Sequence, residues 1–248
     1  MKLSIQLYTV RDQLAQDPEG TLRALKEIGL SYVEGGGSYG TDSTESARKL
    51  LDEIGLKASG SHIGLPSLET DLDAAIADAK TLGVSYIIVP WVDSKAYSND
   101  WKALGAHLAE IGKKVKEAGL TLAYHNHDFE FKNEGEPGLD QLFAGGDPEY
   151  LKSELDLAWV AIGGQDPVAY IKKLSNRLPL IHLKDYDPNT TPRWRPGGQG
   201  IIDWDACLAA ANEAGVEFGA IELDESPGEP LDAVRESVEF FRSKGITE

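Results

Sequence analysis

Charged side chains recur in pairs at the ends of short apolar runs in the second half of the chain. The pairs, each separated by a leucine, are Glu154 with Asp156, His182 with Lys184, and Glu222 with Asp224. Because successive side chains of a strand point to opposite faces, the two members of each pair share a face. Carboxylate, imidazole and ammonium groups would thus be aimed in one direction from three neighbouring strands.

Four of the five histidines also lie at the ends of predicted strands. They are His62, His125, His127 and His182, whereas His107 falls in a predicted helix. An oxygen-rich site with an imidazole suits a divalent cation such as Mn, Mg, Zn or Co, and its open positions can hold a hydroxyl and a carbonyl of a substrate. The convergence of the whole set favours a metal site over a group of buried ion pairs.

Eight short runs rich in β-branched and aromatic residues are predicted as strands. They cover residues 3–9, 32–36, 57–62, 86–91, 120–126, 151–157, 179–185 and 218–223. Amphipathic segments between them predict helices, several of which begin at Asp, Ser or Thr and end at Gly. The helices cover residues 18–29, 43–55, 71–83, 99–119, 138–145, 166–178, 203–215 and 230–245.

A strand followed by a helix, repeated eight times over 248 residues, predicts a (β/α)8 barrel that forms one domain over residues 1–248. The main alternative is a doubly wound open sheet, which the absence of a G-x-G-x-x-G sequence after strand 1 disfavours. A barrel brings the carboxyl ends of its strands, and therefore the paired side chains, around one mouth.

Composition excludes several classes of protein. The chain carries 24 Lys and Arg against 41 Asp and Glu, a formal net charge of -17, which argues against broad contact with a nucleic-acid backbone. The longest apolar run, VSYIIVPW, is strand-sized, so no membrane span is predicted. A single cysteine, Cys207, excludes an internal disulfide, and the opening residues show no signal peptide, so we expect a cytoplasmic protein.

Five motifs stand in the second half of the chain: YHNHDFEF (124–131), SELDLAWV (153–160), IHLKD (181–185), PGGQGIIDW (196–204) and AIELDE (220–225). In these motifs the chain resembles the xylose isomerase-like superfamily of barrels, the sugar phosphate isomerase/epimerase group that includes inosose dehydratase, ketose 3-epimerases and endonuclease IV. The first motif is a signature of one large bacterial branch. The resemblance implies a TIM barrel that acts on a sugar or polyol and often forms homo-oligomers.

The resemblance also implies one divalent cation, held by a Glu after strand 5, an Asp after strand 6, a His after strand 7 and a Glu after strand 8. The matching residues are Glu130, Asp156, His182 and Glu222. Family epimerases carry the first Glu inside strand 5, where this sequence has His125, and Glu130 is the nearest carboxylate. His125 and His127 are therefore alternative ligands.

Two reactions follow from the resemblance. Family epimerases use two metal-bound glutamates, here Glu130 and Glu222, one of which removes a proton next to a carbonyl while the other returns it. The cation stabilises the enediolate between them. With His125 in strand 5, a histidine or Lys184 could instead be the acid that expels water from a keto-inositol or 3-keto-glycoside, as in the inosose dehydratase-like branch.

Lys184 has two interpretations. It shares a face with His182 and could polarise a carbonyl or donate a proton if its pKa were lowered. It could equally form an ion pair with Asp156 or Asp224.

Further polar and aromatic residues at the predicted mouth are candidate substrate contacts. They are Gln6, Tyr8, Glu34, His62, Trp91, His127 and Arg193. Gln6 and Tyr8 share one face of predicted strand 1, and a Trp at a barrel mouth can stack on the apolar face of a sugar. A turn before a helix capped near Asp203 explains the glycines of PGGQG (196–200) without a bound phosphate.

The leading prediction is a metal-dependent sugar isomerase or epimerase, and the closest alternative is a dehydratase. An endonuclease IV-like DNA repair enzyme is disfavoured, because that enzyme holds three zinc ions with additional His and Glu ligands, while this chain is acidic and has five histidines. A non-catalytic sugar-binding barrel also remains an alternative, because a fold alone does not establish an activity.

Overall fold

The computed structural model describes residues 1–97 and 100–246, and in this part of the chain eight parallel strands form a barrel. The strands are β1 (Lys2–Ile5), β2 (Tyr32–Gly35), β3 (Lys57–His62), β4 (Tyr86–Val89), β5 (Thr121–His125), β6 (Leu151–Asp156), β7 (Leu180–Leu183) and β8 (Phe218–Ile221). Each strand from β2 to β7 pairs with the next one in sequence, β8 also pairs with β1, and a parallel bridge between Gln6 and Glu34 joins the two ends of the sheet. The predicted (β/α)8 barrel is confirmed.

Helices connect the strands on the outside. The α-helices are Arg11–Gln16, Pro18–Ile28, Thr44–Ile54, Leu65–Thr70, Leu72–Leu82, Ser94–Tyr97, Trp101–Glu117, Gly138–Gly145, Leu157–Ile162, Pro167–Lys173, Trp204–Ala214 and Pro230–Ser243, and the 3-10 turns are Leu7–Val10, Phe129–Phe131 and Ser175–Arg177. Predicted caps are observed: the Asp203 side chain accepts the amide of Ala206, and Gly215 ends the same helix with a φ of 75°. The predicted start at Asn99 lies outside the described residues. Within those residues, none of the helices is both long and apolar enough to cross a membrane.

Strand β1 is shorter than the sequence predicts. It ends at Ile5, because the Gln6 side chain accepts the amide of Tyr8 at 3.2 Å and begins the 3-10 turn Leu7–Val10. The expectation that Gln6 and Tyr8 share one face of a strand is therefore wrong. Gln6 is 3% exposed, whereas Tyr8 is 52% exposed.

Two apolar layers line the barrel sheet and confirm the predicted alternation. The leucines between the polar pairs, Leu155, Leu183 and Leu223, belong to the large core between sheet and helices. A separate cluster consists of Tyr86, Ile88, Ala123, Leu180 and Phe218. Because three of its members begin their strands, this cluster fills the amino end of the barrel interior. Burial of each large side chain stabilises the fold by about 1.5–3 kcal/mol, and the polar residues are left at the carboxyl end.

Asp185 organises the loop after β7. The short strand Asp185–Tyr186 pairs antiparallel with Trp194–Arg195 and folds the segment between them into a hairpin. The Asp185 carboxylate then accepts the amides of Gly198 at 2.9 Å and Gly200 at 3.1 Å. Amides of the PGGQG segment are thus satisfied inside the chain, as expected for a turn.

Candidate metal centre

Four side chains from neighbouring strands meet at the carboxyl end of the barrel. His125 ends β5, Asp156 ends β6, His182 lies in β7 and Glu222 directly follows β8, and the strand register places Asp156 beside His182. One ligand atom from each side chain lies within 4.8 Å of the ligand atoms of the other three, and all four residues are buried. We call these four residues cluster 1.

The potential ligand atoms of cluster 1 face one another. His182 Nδ1 lies 2.8 Å from Glu222 Oε2 and 3.9 Å from Asp156 Oδ2. Asp156 Oδ1 accepts the amide of Trp159 at 2.9 Å and so caps helix Leu157–Ile162. The other oxygen, Asp156 Oδ2, is buried without a hydrogen-bond partner among the described residues. One oxygen of Asp156 therefore fixes the carboxylate, and the other is available to a cation.

Burial and neighbouring charges set the protonation states in cluster 1. Burial lowers the pKa of His125 to about 4, and His182 adds to the effect, so His125 is neutral at pH 7. Burial raises the pKa of Glu222, but Lys184 and His182 outweigh it and hold that pKa well below its usual range. Burial also raises the pKa of Asp156 to about 6. The pKa of His182 is lowered by burial, but Glu154 and Glu222 outweigh it and hold that pKa well above its ordinary value. His125 and the carboxylates are thus in the states that bind metals, whereas His182 must release a proton to a cation.

A second group of titratable side chains adjoins the first and shares His182. This cluster 2 consists of Glu34, His62, Glu154 and His182. Glu34 Oε1 accepts a hydrogen bond from the Gln6 amide at 2.9 Å. Two predicted substrate contacts, Gln6 and Glu34, therefore contact each other in the barrel interior, while His62 also lines the mouth of the barrel.

Lys184 forms the ion pairs that were one of its two interpretations. Its Nζ lies 2.7 Å from Asp224 Oδ1, 2.9 Å from Glu222 Oε2 and 3.4 Å from Asp156 Oδ2, and 4.7 Å from the centroid of the Trp194 ring. Burial lowers the pKa of Lys184, but the three carboxylates raise it above its ordinary value. Lys184 is thus held as a cation that orients carboxylates, which does not suit a proton donor.

Glu130 lies apart from cluster 1. It falls in the 3-10 turn Phe129–Phe131, where Oε1 accepts the Tyr124 hydroxyl at 2.8 Å and Oε2 accepts the amide of His127 at 3.0 Å. Among the described residues, the groups able to hold a cation include His125 but not Glu130. The structure therefore does not bring the predicted strand-5 ligand to the cluster and brings its alternative, His125, instead.

A cavity of about 720 Å³ opens above cluster 1. We call it the mouth cavity. The site residues predicted from the sequence that line it are Gln6, Tyr8, His62, Trp91, His125, His127 and Glu222. The rings of Tyr8 and Trp91 are 52% and 54% exposed, so they present aromatic surface to a ligand. The sequence analysis missed Arg11, whose guanidinium stacks 4.2 Å from the Tyr8 ring centroid. Its one sequence signal, a position soon after strand 1, does not separate it from a surface arginine.

Arg193 lines a neighbouring cavity of about 770 Å³, which lies beside the hairpin after β7. Trp159 and Asp224 border both cavities. The structure thus places Arg193 next to the mouth cavity instead of in its wall. The sequence analysis also missed Trp159 as a cavity residue, although it quoted the SELDLAWV motif. Whether Trp159 reaches the cavity depends on the direction in which helix Leu157–Ile162 leaves β6, and the sequence does not show that direction.

Cluster 1 fits a divalent cation. Two imidazoles and two carboxylates form a donor set that Zn, Mn and Co accept. The buried oxygen Asp156 Oδ2 has no hydrogen-bond partner among the described residues and lies 3.4 Å from the Lys184 ammonium, so it can supply a ligand atom. The position of the Asp156 backbone is also fixed, because its amide donates a hydrogen bond to Asn126 Oδ1 at 3.0 Å. Support of this kind around a ligand is typical of metal sites.

Solved structures of other proteins share the fold of this chain. A solved sugar phosphate isomerase/epimerase from Parabacteroides distasonis is 25% identical, superposes with a TM-score of 0.85, and the match covers 100% of this chain and 95% of that one. A solved IolI protein with a bound zinc atom is 16% identical with a TM-score of 0.76, covers 98% and 97% of the two chains, and is similar in fold.

Curated relatives match this chain over segments of different length. The rhizopine catabolism protein MocC from Rhizobium meliloti is 23% identical over 228 residues, which span 82% of this chain and 69% of that protein. An inosose dehydratase from Clostridium tetani is 31% identical over 86 residues, which span 35% of this chain and 28% of that protein. The match thus covers less than a third of that relative. The family model described as a xylose isomerase-like TIM barrel matches residues 22–244. The chain therefore belongs to the xylose isomerase-like TIM barrel family.

Proposed function

We propose that the chain is a divalent-metal-dependent isomerase or epimerase of a sugar, keto-sugar or polyol. The observation that carries this proposal is cluster 1, a buried set of cation ligands in which Glu222 also lines the mouth cavity. The solved Parabacteroides distasonis isomerase/epimerase, which matches the whole chain, supports the substrate class. The zinc atom of the solved IolI protein supports a cation of this type.

A divalent cation in cluster 1 would act as a Lewis acid that polarises a substrate carbonyl and offsets the negative charge that develops next to it. His125, Asp156 and His182 are the residues placed to hold such a cation. Glu222 stands between cluster 1 and the cavity, so its carboxylate can take a proton from a carbon adjacent to the carbonyl. Lys184, 2.9 Å from Glu222 Oε2, keeps that carboxylate oriented.

His127 lies in another part of the same cavity, where burial lowers its pKa to about 2, so its neutral imidazole is suited to contact a substrate. Its ring lines the cavity and lies 5.5 Å, between centroids, from both the Phe129 and Trp159 rings. The proton that the Glu222 carboxylate removes can be returned by Glu222 to the adjacent carbon, which completes an isomerisation without a second acid. The exposed rings of Tyr8 and Trp91 suit the apolar face of a sugar.

A second candidate function is loss of water from a keto-inositol or 3-keto-glycoside. The observation that favours it is the orientation of Glu130, whose oxygens bind the Tyr124 hydroxyl and the His127 amide instead of joining cluster 1. The imidazole of His125 occupies the corresponding place, so cluster 1 lacks the second glutamate that a two-base epimerase uses. The inosose dehydratase of Clostridium tetani supports this reaction class over the aligned segment.

One assay separates the two functions. Protein loaded with Zn, Mn or Co is incubated in D2O with keto-sugars, including L-ribulose, and with inososes, and the products are analysed by liquid chromatography and mass spectrometry. Isomerisation or epimerisation conserves the composition apart from exchanged hydrogen, whereas dehydration removes a water. Asp156→Asn should abolish either product, and Asp78→Asn, on the outer helix Leu72–Leu82, should not. Absence of any product from metal-loaded protein would contradict catalysis and favour a sugar-binding barrel.

A further inference from the structure

The four ligand atoms of cluster 2 form a closed ring of alternating carboxylate oxygens and imidazole nitrogens. Glu34 Oε1 lies 3.1 Å from His62 Nε2 and 2.9 Å from His182 Nε2. Glu154 Oε2 lies 3.0 Å and 3.2 Å from the same two nitrogens. Oxygen and nitrogen ligands at 2.0–2.2 Å from one cation stand about 2.8–3.4 Å apart in square to tetrahedral arrangements. The edges of the ring match the spacing of ligands around a single ion.

The burial of cluster 2 makes its charges costly without a cation. Glu34, Glu154 and His182 are at most 1% exposed. Glu154 Oε1 is also buried and has no hydrogen-bond partner among the described residues. Two carboxylates therefore stand in an enclosed space, and they raise the pKa of His62 and His182 above the ordinary value despite burial. A buried charge requires a partner, and a bound cation is one of the partners that proteins use.

Cluster 2 is also reachable from solvent. The His62 side chain is 13% exposed and lines both the mouth cavity and a separate pocket of about 580 Å³ beside helix Leu65–Thr70. An entry path is one requirement of a metal site, along with suitable ligands and spacing. Cluster 2 therefore meets the requirements of donor type, spacing and access.

We propose that cluster 2 binds a second divalent cation and that the imidazole of His182 bridges the two ions. His182 Nδ1 faces Asp156 and Glu222 in cluster 1, while its Nε2 faces Glu34 and Glu154 in cluster 2. Because both ring nitrogens then carry a cation, His182 releases its remaining ring proton to solvent as the second ion binds. The second site goes beyond the proposed reaction and shares one ligand with its metal centre.

The competing explanation is a hydrogen-bonded network without a second ion. In that network His182 donates its Nε2 proton to Glu34, and His62 is protonated between Glu34 and Glu154. Such an arrangement orients His182 as a ligand for cluster 1 and binds no ion itself. The two explanations therefore differ in the number of ions that the chain holds.

Metal counting tests the proposal. Full-length protein is stripped with a chelator, dialysed against Zn²⁺ or Mn²⁺, and analysed by elemental mass spectrometry. We expect two ions per chain for wild type, one for Glu34→Gln, one for Asp156→Asn, and none for the double variant. Glu45→Gln, on the exposed side of helix Thr44–Ile54, is the matched control and should retain two. His62→Gln, at the most exposed ligand, should also bind one.

Other outcomes overturn the proposal in distinguishable ways. One ion in wild type and one in Glu34→Gln would refute the second site and leave the proposed function intact. Two ions in Glu34→Gln and in His62→Gln would place the second ion elsewhere. No ion in wild type would contradict both proposals. If a variant fails to fold, electron paramagnetic resonance of Mn-loaded wild type decides: a magnetically interacting pair is expected, and a spectrum of isolated ions would refute the bridge.

Discussion

Replacement of the Asp185 carboxylate should weaken folding strongly, although the residue lies outside both clusters. Three donors converge on Oδ2: the amides of Gly198 (2.9 Å) and Gly200 (3.1 Å) and the indole of Trp204 (2.8 Å). The amide of Tyr186 donates to Oδ1 at 2.9 Å. Asp185→Asn keeps the volume of the side chain but replaces one acceptor oxygen with an amino group that cannot accept a hydrogen bond.

The size of the effect follows from burial. Tyr186 and Trp204 are buried and donate to different oxygens of Asp185, so either orientation of the new amide leaves one of them facing an amino group. A buried donor without an acceptor costs about 1–3 kcal/mol, and the other donors add to this. We expect Asp185→Asn to lower the free energy of unfolding by about 2–4 kcal/mol, and Asp185→Ala by about 3–5 kcal/mol.

Urea unfolding followed by circular dichroism measures this loss. Asp187→Asn is the matched control, because the Asp187 side chain accepts the amide of Asn189 at 2.9 Å on an exposed turn and asparagine keeps that acceptor. The control should stay within about 0.5 kcal/mol of wild type. A similarly small loss for Asp185→Asn would refute the conclusion that its carboxylate organises the PGGQG loop.

The further predictions concern Glu130, Gly200 and Cys207. Glu130→Gln should cost about 1–3 kcal/mol of stability but leave the metal content unchanged, and loss of metal would restore Glu130 as a ligand. Burial raises the pKa of Glu130 from 4.5 to about 8. As the pH rises from 4.5 to 8, the free energy of unfolding of wild type should therefore fall more steeply than that of Glu130→Gln. Gly200→Ala should destabilise by about 1–3 kcal/mol, because a Cβ would lie 2.1 Å from Asp185 Oδ1, whereas Gly228→Ala, with nothing within 4 Å, should be neutral in the same urea assay. Burial raises the pKa of Cys207 to about 12, so Ellman's reagent at pH 8 should label the folded chain about a hundredfold or more slowly than the unfolded one, and equal rates would contradict this.

The barrel could be predicted from the sequence because its signals are local. Strand composition, helix caps and terminal glycines each involve a few neighbouring residues, and eight repeats leave few alternative folds. The convergence of Asp156, His182 and Glu222 at one end of the barrel was predictable for the same reason. Alternation along a strand fixes their face, and a parallel barrel brings the strand ends together.

Residues after a strand end could not be placed in this way. The direction of Glu130 depends on the Tyr124 hydroxyl and the His127 amide, and the position of Tyr8 depends on the Gln6 side chain. These contacts depend on backbone turns that no hydrophobic period describes.

Contacts between side chains across the barrel could not be predicted from the sequence either. Glu34 and His182 are separated by 148 positions, yet their side chains lie 2.9 Å apart. Which side chains meet across a barrel depends on strand tilt and stagger, which one sequence does not reveal. The sharing of His182 by two clusters therefore appears only in the structure.

The bridge between Gln6 and Glu34 has a mechanical consequence for the whole barrel. Within the described residues it is the one backbone pairing between the first two strands, so the barrel is closed there by a single bridge. Side-chain contacts stabilise this junction, because the Gln6 amide lies 2.9 Å from Glu34 Oε1 and 3.1 Å from His62 Nε2. A cation bound by Glu34 and His62 would stabilise the closed barrel at this junction, and its removal would weaken the contact between the first two strands. Hydrogen exchange at the amides of Val33 and Glu34 should therefore slow when the barrel is loaded.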